Sequence, residues 1–159
     1  MPCKYLSLSG MGTTLSIALL TAGNAQAFSD IDGTYLTCQI EQNGKVIQAA
    51  EINGTPPGGF HAYGTVVNGY PTIIYDVYKM MQLPIPARRF LFFHECAHLA
   101  FGTSSEATAN CEGIREMRRK GMLSSAEEAQ LRNYIVSLPA QDLEHVDGPL
   151  QWQRMKDCR

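Results

Sequence analysis

The sequence predicts an α+β fold, in which a small N-terminal antiparallel β-sheet precedes a helical half. Asn-Gly pairs at 43–44 and 68–69 each lie between short β-prone runs, which is a strong local signal of a β-hairpin. From about residue 77 onward, apolar residues recur at helical spacing instead. Strands that all precede the helices are typical of α+β folds.

The predicted strands are 34–40, 45–52, 63–67 and 70–75, and a loop rich in glycine and proline covers 53–59. The predicted helices are 86–101, 103–120, 124–137 and a short last one that follows Gly148-Pro149 and reaches Cys158. Gly102 and Gly121 end the first two, and Ser124 with Glu127 forms a capping box for the third. The first helix is apolar nearly all the way round, which indicates that it lies in the centre of the domain.

The composition fits a single globular domain. The chain has 159 residues, a formal net charge of −2 and 18% charged residues, and chains of this length commonly form one domain. The basic clusters, at 88–89 and 115–120, have acidic neighbours and are interpreted as solvated helix faces. We therefore expect no binding of nucleic acid, which requires a clustered basic surface.

The first 27 residues have the pattern of a secretory signal peptide. Lys4 is their only charged residue, a stretch of apolar and small residues follows at 6–23, and Ala25-Gln26-Ala27 fits a cleavage site. A membrane span would need about 20 predominantly apolar residues, and serine, threonine and glycine dilute this stretch. We therefore expect a signal peptide at 1–27 and a single domain at 28–159. The protein would be exported, periplasmic or secreted, without a stable membrane anchor.

Four cysteines remain once Cys3 leaves with the leader, and an even count in an exported chain predicts two disulfides. They are Cys38, Cys96, Cys111 and Cys158. Three pairings are possible, and the sequence does not choose among them. The alternative for Cys96 and Cys111 is a pair of buried thiols, because unpaired cysteine is among the most buried residue types.

The strongest signal for chemistry is the H-E-x-x-H pattern of 94–98. Residues four apart share one face of a helix, so His94 and His98 could grip one metal ion. Glu95 lies about 100° further round the helix, where it could act as a general base. Burying three ionisable groups in a helix rich in Phe and Leu is costly unless something compensates them, and metal ligation would do so.

A catalytic zinc ion needs a third protein ligand, and the downstream candidates are Glu106, Glu112 and His145. Glu106 follows the break at Gly102, which lets the chain turn back onto the metal. The alternative is that Glu106 caps its own helix, because 103–106 also matches a capping box. Glu106 is favoured as the ligand, because the metal otherwise lacks a third protein group. Glu112 is interpreted as a surface charge.

H-E-x-x-H followed by Glu106-x-x-x-Asn110 on the next helix resembles the gluzincin zinc peptidases, and small exported bacterial proteins of that type in particular. The resemblance covers roughly residues 70–158. It implies a zincin-like fold, Zn²⁺ held by His94, His98 and Glu106, and a hydrogen bond between Asn110 and a histidine ligand that fixes the orientation of the histidine. It also favours a Cys96–Cys111 bridge, because a cysteine accompanies each metal motif, and leaves Cys38 to pair with Cys158.

The predicted activity is hydrolysis of peptide bonds in a peptide or protein substrate, with Glu95 activating the attacking water. His145 is the first candidate for the donor that stabilises the oxyanion, and His61, Tyr63 and Tyr75 are its rivals. Zincins align an extended substrate on an edge strand, and 70–75 is the candidate strand. The alternative function is an exported, non-catalytic metal-binding or interaction module, for which an intact Glu95 would have no use.

Overall fold

The computed structural model describes residues 33–139 and 147–158. Its strands are β1 (Gln39–Gln42), β2 (Lys45–Gln48), β3 (Ala50–Asn53), β4 (Ala62–Val67) and β5 (Tyr70–Tyr75). Its helices are α1 (Val77–Met81), α2 (Ile85–Phe101), α3 (Glu106–Arg119), α4 (Ser125–Val136) and α5 (Gly148–Met155). The prediction of an α+β fold, with a small antiparallel sheet followed by a helical half, is confirmed. The proposed signal peptide, at 1–27, lies outside the described residues.

The strands form two small sheets. The first is the antiparallel hairpin β1–β2, and the second has the order β3-β5-β4. Both Asn-Gly turns are formed as predicted, with left-handed φ values of 54° at Asn43 and 51° at Asn68. The predicted strand 45–52 is divided at Ala49, where the chain passes from one sheet to the other. Its second half, β3, pairs in parallel with β5.

Helix α2 lies at the centre of the domain, as its apolar sequence predicts. It packs against helices α3 and α4 and against strands β1, β4 and β5. Phe90, Phe92 and Phe93 are buried along it. Gly113 lets α3 approach closely, because a Cβ atom there would lie 3.2 Å from the backbone nitrogen of His94. The first turn of α3 is thereby held beside the last turns of α2.

The helix ends follow the sequence closely. Gly102 ends α2 in the left-handed conformation, with φ 57° and ψ 32°. Ser124 and Glu127 form the predicted capping box of α4. Within 33–139 and 147–158, none of the helices combines the length and the hydrophobicity that crossing a membrane requires.

The two disulfides join Cys38 to Cys96 and Cys111 to Cys158, so the pairing favoured from the resemblance is wrong. Cys96 is two residues after His94, which places it on the opposite side of α2 from the histidines and from α3. It therefore faces the segment before β1, where Cys38 lies 5.5 Å away between Cα atoms. Cys111 is tied to the C-terminal segment instead. Disulfides indicate an oxidising environment.

Candidate metal centre

Two histidines on consecutive turns of α2 point at the same spot. The rings of His94 and His98 lie with centroids 4.6 Å apart, at an interplanar angle of 83°. Their Nε2 atoms are separated by 3.0 Å. His94 is buried and His98 is half-buried, so both imidazoles are largely shielded from bulk water but remain at the surface of the cleft. The i, i+4 spacing in the sequence therefore produces the convergent pair that it predicts.

Glu106 reaches the same spot from the start of α3. Its Oε2 lies 3.1 Å from His94 Nε2, and its Oε1 lies 3.2 Å from His98 Nε2. The helix cap is Ser105, whose hydroxyl accepts a hydrogen bond from the Thr108 amide. The alternative that Glu106 caps its own helix is therefore wrong, because the residue before it does so. Glu112 pairs with Arg115 on the same helix and lies outside the metal-ligating group.

The hydrogen bonds fix which nitrogen of His98 can bind a metal. His98 Nδ1 lies 2.7 Å from the Thr103 carbonyl oxygen, which can only accept, so Nδ1 carries the proton. Its Nε2 therefore faces His94 and Glu106. Burial would lower the pKa of His98, but hydrogen bonds with Glu106 and Thr103 raise it above its ordinary value of 6.5. Burial likewise would raise the pKa of Glu106, but both histidines bring it far below its ordinary range.

The three side chains have the spacing of metal ligands. One ligand atom from each of His94, His98 and Glu106 lies within 4.8 Å of the others. In a tetrahedral zinc site, bonds of 2.0–2.2 Å place neighbouring ligand atoms about 3.3 Å apart. The two Nε2 atoms lie 3.0 Å apart, and each lies 3.1–3.2 Å from a different oxygen of the Glu106 carboxylate, which is close to that value. The group could therefore hold a metal ion without a change of fold.

Glu95 lies beside this group and is hydrogen-bonded to strand β4. Its side chain is buried, its Oε2 accepts a hydrogen bond of 2.7 Å from the Gly64 amide, and its Oε1 lies 4.0 Å from His94 Nε2. Only glycine fits at position 64, because a Cβ there would lie 2.7 Å from the backbone oxygen of Glu95. The strand thus contacts both the backbone and the carboxylate of the residue between the histidine ligands.

Asn110 lies in the same region, but the predicted hydrogen bond to a histidine is not made in this structure. Its Oδ1 is buried without a hydrogen-bond partner among the described residues, and so is His94 Nδ1. Asn110 is three residues before Gly113, which contacts the His94 backbone, so both face α2. A buried acceptor and a buried nitrogen thus lie on facing surfaces of two packed helices, each without a partner.

The metal-ligating group forms the floor of a cleft with a volume of about 690 Å³. Strand β4 and the two residues before it contribute to the lining of the cleft. The end of α4, the segment after it and one residue of α5 also contribute, through Tyr134, Ile135, Leu138, Pro139 and Gln151. A cleft of this size can accommodate a few residues of an extended peptide.

Of the other predicted site residues, some line the cleft and others do not. His145 lies outside the described residues. His61 and Tyr63 line the wall that contains β4, and burial, aided by Lys79, lowers the pKa of His61. Tyr75 is 2% exposed and does not line the cleft; burial raises its pKa well above 10, and the nearby Glu51 and Glu95 carboxylates raise it further.

The prediction that 70–75 is an edge strand is wrong, because β5 lies between β3 and β4. In the part of the chain that the structure describes, β4 has a neighbour only on one side. It is also the strand that lines the cleft. Sequence reasoning missed the contact between Gly64 and Glu95, because nothing local distinguishes this strand glycine from an ordinary one.

Comparisons of this chain with models of protein families, with curated proteins and with solved structures find no match. The functional interpretation therefore depends on the chemistry of the residues in the cleft.

Proposed function

We propose that this protein is a zinc-dependent metallopeptidase of the gluzincin type. The observation that carries the proposal is the position of Glu95, a buried carboxylate held beside three metal-ligating side chains in an open cleft. A purely structural metal site has no use for such a carboxylate, and it usually has four protein ligands. Among the described residues, this group has three.

Zinc is the metal that suits these donors best. Two imidazole nitrogens and one carboxylate oxygen match the ligand set of catalytic zinc sites, which leave a further position open. Magnesium, calcium and manganese prefer oxygen ligands, so the two histidines disfavour them. When bound, zinc would lower the pKa of a coordinated water molecule and polarise the carbonyl group of the substrate.

The side chains around the metal would carry out the proton transfers. Glu95 would accept a proton from the attacking water and later deliver it to the leaving amine. The hydrogen bond from Gly64 holds one carboxylate oxygen and leaves the other 4.0 Å from His94 Nε2. Thr103 holds the ring of His98 in the orientation that presents Nε2 to the metal.

Strand β4 would align the substrate. Because the Gly64 amide points to Glu95 and away from β5, the peptide groups of the alternate residues Ala62 and Val66 also point away from β5. Pro71 opposite Val66 fits this pattern, since proline has no amide hydrogen to offer. An extended peptide could therefore pair with β4 on the side of the cleft.

The disulfides support a site of action outside the cytoplasm, because such bonds persist in oxidising compartments. Together with the signal-peptide pattern at 1–27, they suggest an exported peptidase, periplasmic or secreted. Its substrates would then be peptides or proteins of the same compartment.

The test combines a peptidase assay with metal analysis. Wild type, Glu95→Gln, Glu106→Ala and the control Glu112→Ala are purified and assayed against casein and a peptide library. We expect one zinc per chain in wild type, Glu95→Gln and Glu112→Ala, and loss of zinc in Glu106→Ala. Turnover should fall by at least about 100-fold in Glu95→Gln.

The alternative function, a metal-binding or interaction module, predicts a different outcome. Full zinc occupancy with no cleavage that depends on Glu95 would favour that module over the peptidase. Zinc retained at wild-type affinity in Glu106→Ala would contradict the ligand set itself.

A further inference from the structure

A short extended segment lies along the side of α2 that faces away from the histidines. Residues 34–40, here called the strap, lead into β1, and every second side chain of the strap is buried. Leu36, Cys38 and Ile40 have exposed fractions of 3%, 0% and 5%. Such alternation is typical of an extended chain with one face on the core. The strap therefore packs on the domain through one of its faces.

Two contacts attach the strap to α2. Arg89 donates a 3.1 Å hydrogen bond to Thr34 Oγ1, and Cys38 is bonded to Cys96. Arg89 and Cys96 are nearly two helical turns apart, so they lie on the same face of α2. Their partners lie in the same order along the strap. The strap thus runs beside α2 over about two turns.

The same face of α2 contributes to the apolar core. Phe92 and Phe93 lie between Arg89 and Cys96 at helical spacing. Both rings are buried, and they belong to one hydrophobic cluster with the buried side chains of the strap. A strap that detached would uncover part of this apolar face. The order of the helix that carries both histidines therefore depends on a segment on its far side.

We propose that the disulfide between Cys38 and Cys96 is a redox switch for metal binding, which acts through the strap on the helix that carries both histidines. The inference rests on the proposed function, an exported zinc-dependent peptidase. In the reduced protein, non-covalent contacts alone hold the strap, α2 opens more often, and zinc binds weakly. Once the disulfide forms, α2 is restrained and the site binds zinc tightly.

The position of Cys96 explains why metal binding responds to this bond. Cys96 is the middle residue of the five from His94 to His98 and follows Glu95, so the bond restrains α2 at the level of the site. Ligands that are already ordered bind a metal more tightly than ligands that must become ordered on binding, because the ordering then costs no binding free energy. Restraint of α2 therefore raises the affinity of both histidines for zinc.

The redox step is a thiol–disulfide exchange. The thiols of Cys38 and Cys96 are oxidised and an S–S bond forms between them, while two electrons and two protons pass to an exogenous disulfide, which becomes two thiols. A dithiol reverses the step. Because disulfides form outside the cytoplasm and are reduced within it, the switch would keep zinc binding weak until the protein is exported.

Zinc affinity tests the switch without any reductant. Competition with a chromophoric chelator is measured for wild type and Cys38→Ala/Cys96→Ala, and we expect the affinity of the variant to be at least about 10-fold lower. The matched control is Cys111→Ala/Cys158→Ala, which removes the other disulfide and leaves the strap attached, so its affinity should stay close to that of wild type. No loss in either variant, or a loss in the control as large as in Cys38→Ala/Cys96→Ala, would overturn the inference.

Hydrogen exchange shows whether the effect on α2 is local. The metal-free Cys111→Ala/Cys158→Ala protein, which keeps the bond between Cys38 and Cys96, is compared in its oxidised, dithiol-reduced and reoxidised forms. The α2 amides should exchange at least about 10-fold faster after reduction and recover on reoxidation, whereas the amides of α4 should change less. An equal change in α4 would mean that the bond stabilises the domain as a whole, and would overturn the inference.

These measurements separate the inference from the proposed function, because neither requires cleavage of a peptide. If wild type cleaves no peptide but its zinc affinity depends on the bond between Cys38 and Cys96, the peptidase proposal fails and the switch stands. If cleavage depends on Glu95 while zinc affinity is the same with and without this bond, the inference alone fails.

Discussion

The Gly64 amide donates a 2.7 Å hydrogen bond to Glu95 Oε2, and through it a strand residue orients the carboxylate beside the metal-ligating group. The contact requires a residue without a side chain, because a Cβ at position 64 would meet the backbone of α2. The same strand lines the cleft, and it pairs with β5 on one side. Under the proposed function, one strand therefore positions both the base and the substrate.

Replacement of Gly64 by alanine should separate the base from the metal. The added methyl group would lie 2.7 Å from the Glu95 carbonyl oxygen, which belongs to a helix backbone and cannot turn aside. Strand β4 must then move, and the hydrogen bond to Glu95 is lost. We expect turnover to fall by at least about 10-fold, with zinc affinity close to that of wild type, because none of the three ligands is on β4. Steady-state kinetics with metal titration measures both.

Gly54→Ala provides the matched control for Gly64→Ala. A Cβ at Gly54 would lie 3.1 Å from Ile74 Cγ2, the end of a side chain that can shift. This variant should keep its activity. A Gly64→Ala enzyme with wild-type turnover would show that the hydrogen bond to Glu95 has no role in catalysis.

The pH dependence of stability should reverse when metal is bound. The pKa of His98 is raised in the metal-free folded protein, so its contribution to stability is complete below pH 6.5 and is lost as the pH rises through the raised value. The pKa of Glu106 is lowered, so its contribution is present above pH 4.5 and is lost as the pH falls. In the metal-free protein, the contribution of His98 and Glu106 to the free energy of unfolding should therefore be largest between pH 4.5 and 6.5.

Zinc competes with the protons of the same histidines, so stabilisation by zinc should be smallest in that acidic range and increase toward pH 8. Melting temperatures measured from pH 4.5 to 8, with zinc and with a chelator, check the pH dependence of stability in both states. Glu106→Ala should remove the difference between the two conditions. Stabilisation by zinc that is equal at pH 5 and pH 8 would contradict the assigned ligands.

The sequence predicts those parts of the site that depend on neighbouring residues. His94 and His98 converge because one helix carries both, and Gly102 turns the chain so that Glu106 can join them. The Asn-Gly turns and the capping box of α4 are local in the same way. Local patterns therefore predict most element boundaries and the three side chains that could hold a metal ion.

Features that depend on distant parts of the chain were predicted less well. The position of β5 within the sheet depends on parallel pairing with β3, across a loop whose course the sequence does not encode locally. The partner of Cys96 depends on which element covers the far side of α2. Gly64 lies 31 residues before Glu95, and its role appears only when β4 is placed against α2.

Removal of the Cys38–Cys96 disulfide should destabilise the helix that carries both histidines. The bond closes a loop with a sequence separation of 58, for which the chain-entropy model gives about 4 kcal/mol of unfolding free energy. Urea unfolding of Cys38→Ala/Cys96→Ala should show a loss of this size. Under reducing conditions, the double mutant and wild type should differ little in stability, because wild type has then lost this disulfide too. Equal stability of the two proteins without reductant would contradict the assigned pairing.

Asn110 should contribute to metal affinity although it is not among the ligands. Its Oδ1 and His94 Nδ1 are both buried without partners in the described part of the chain, and both belong to the facing surfaces of α2 and α3. A metal on His94 Nε2 leaves Nδ1 as the protonated nitrogen, which needs an acceptor, and Asn110 Oδ1 can accept. Asn110→Ala should weaken zinc binding by about 10- to 100-fold. Asn110→Asp should retain the affinity, because it keeps an oxygen acceptor and adds negative charge. If competition with a chelator gives the same zinc affinity for wild type and Asn110→Ala, the orientation of His94 depends on its packing against α3 alone.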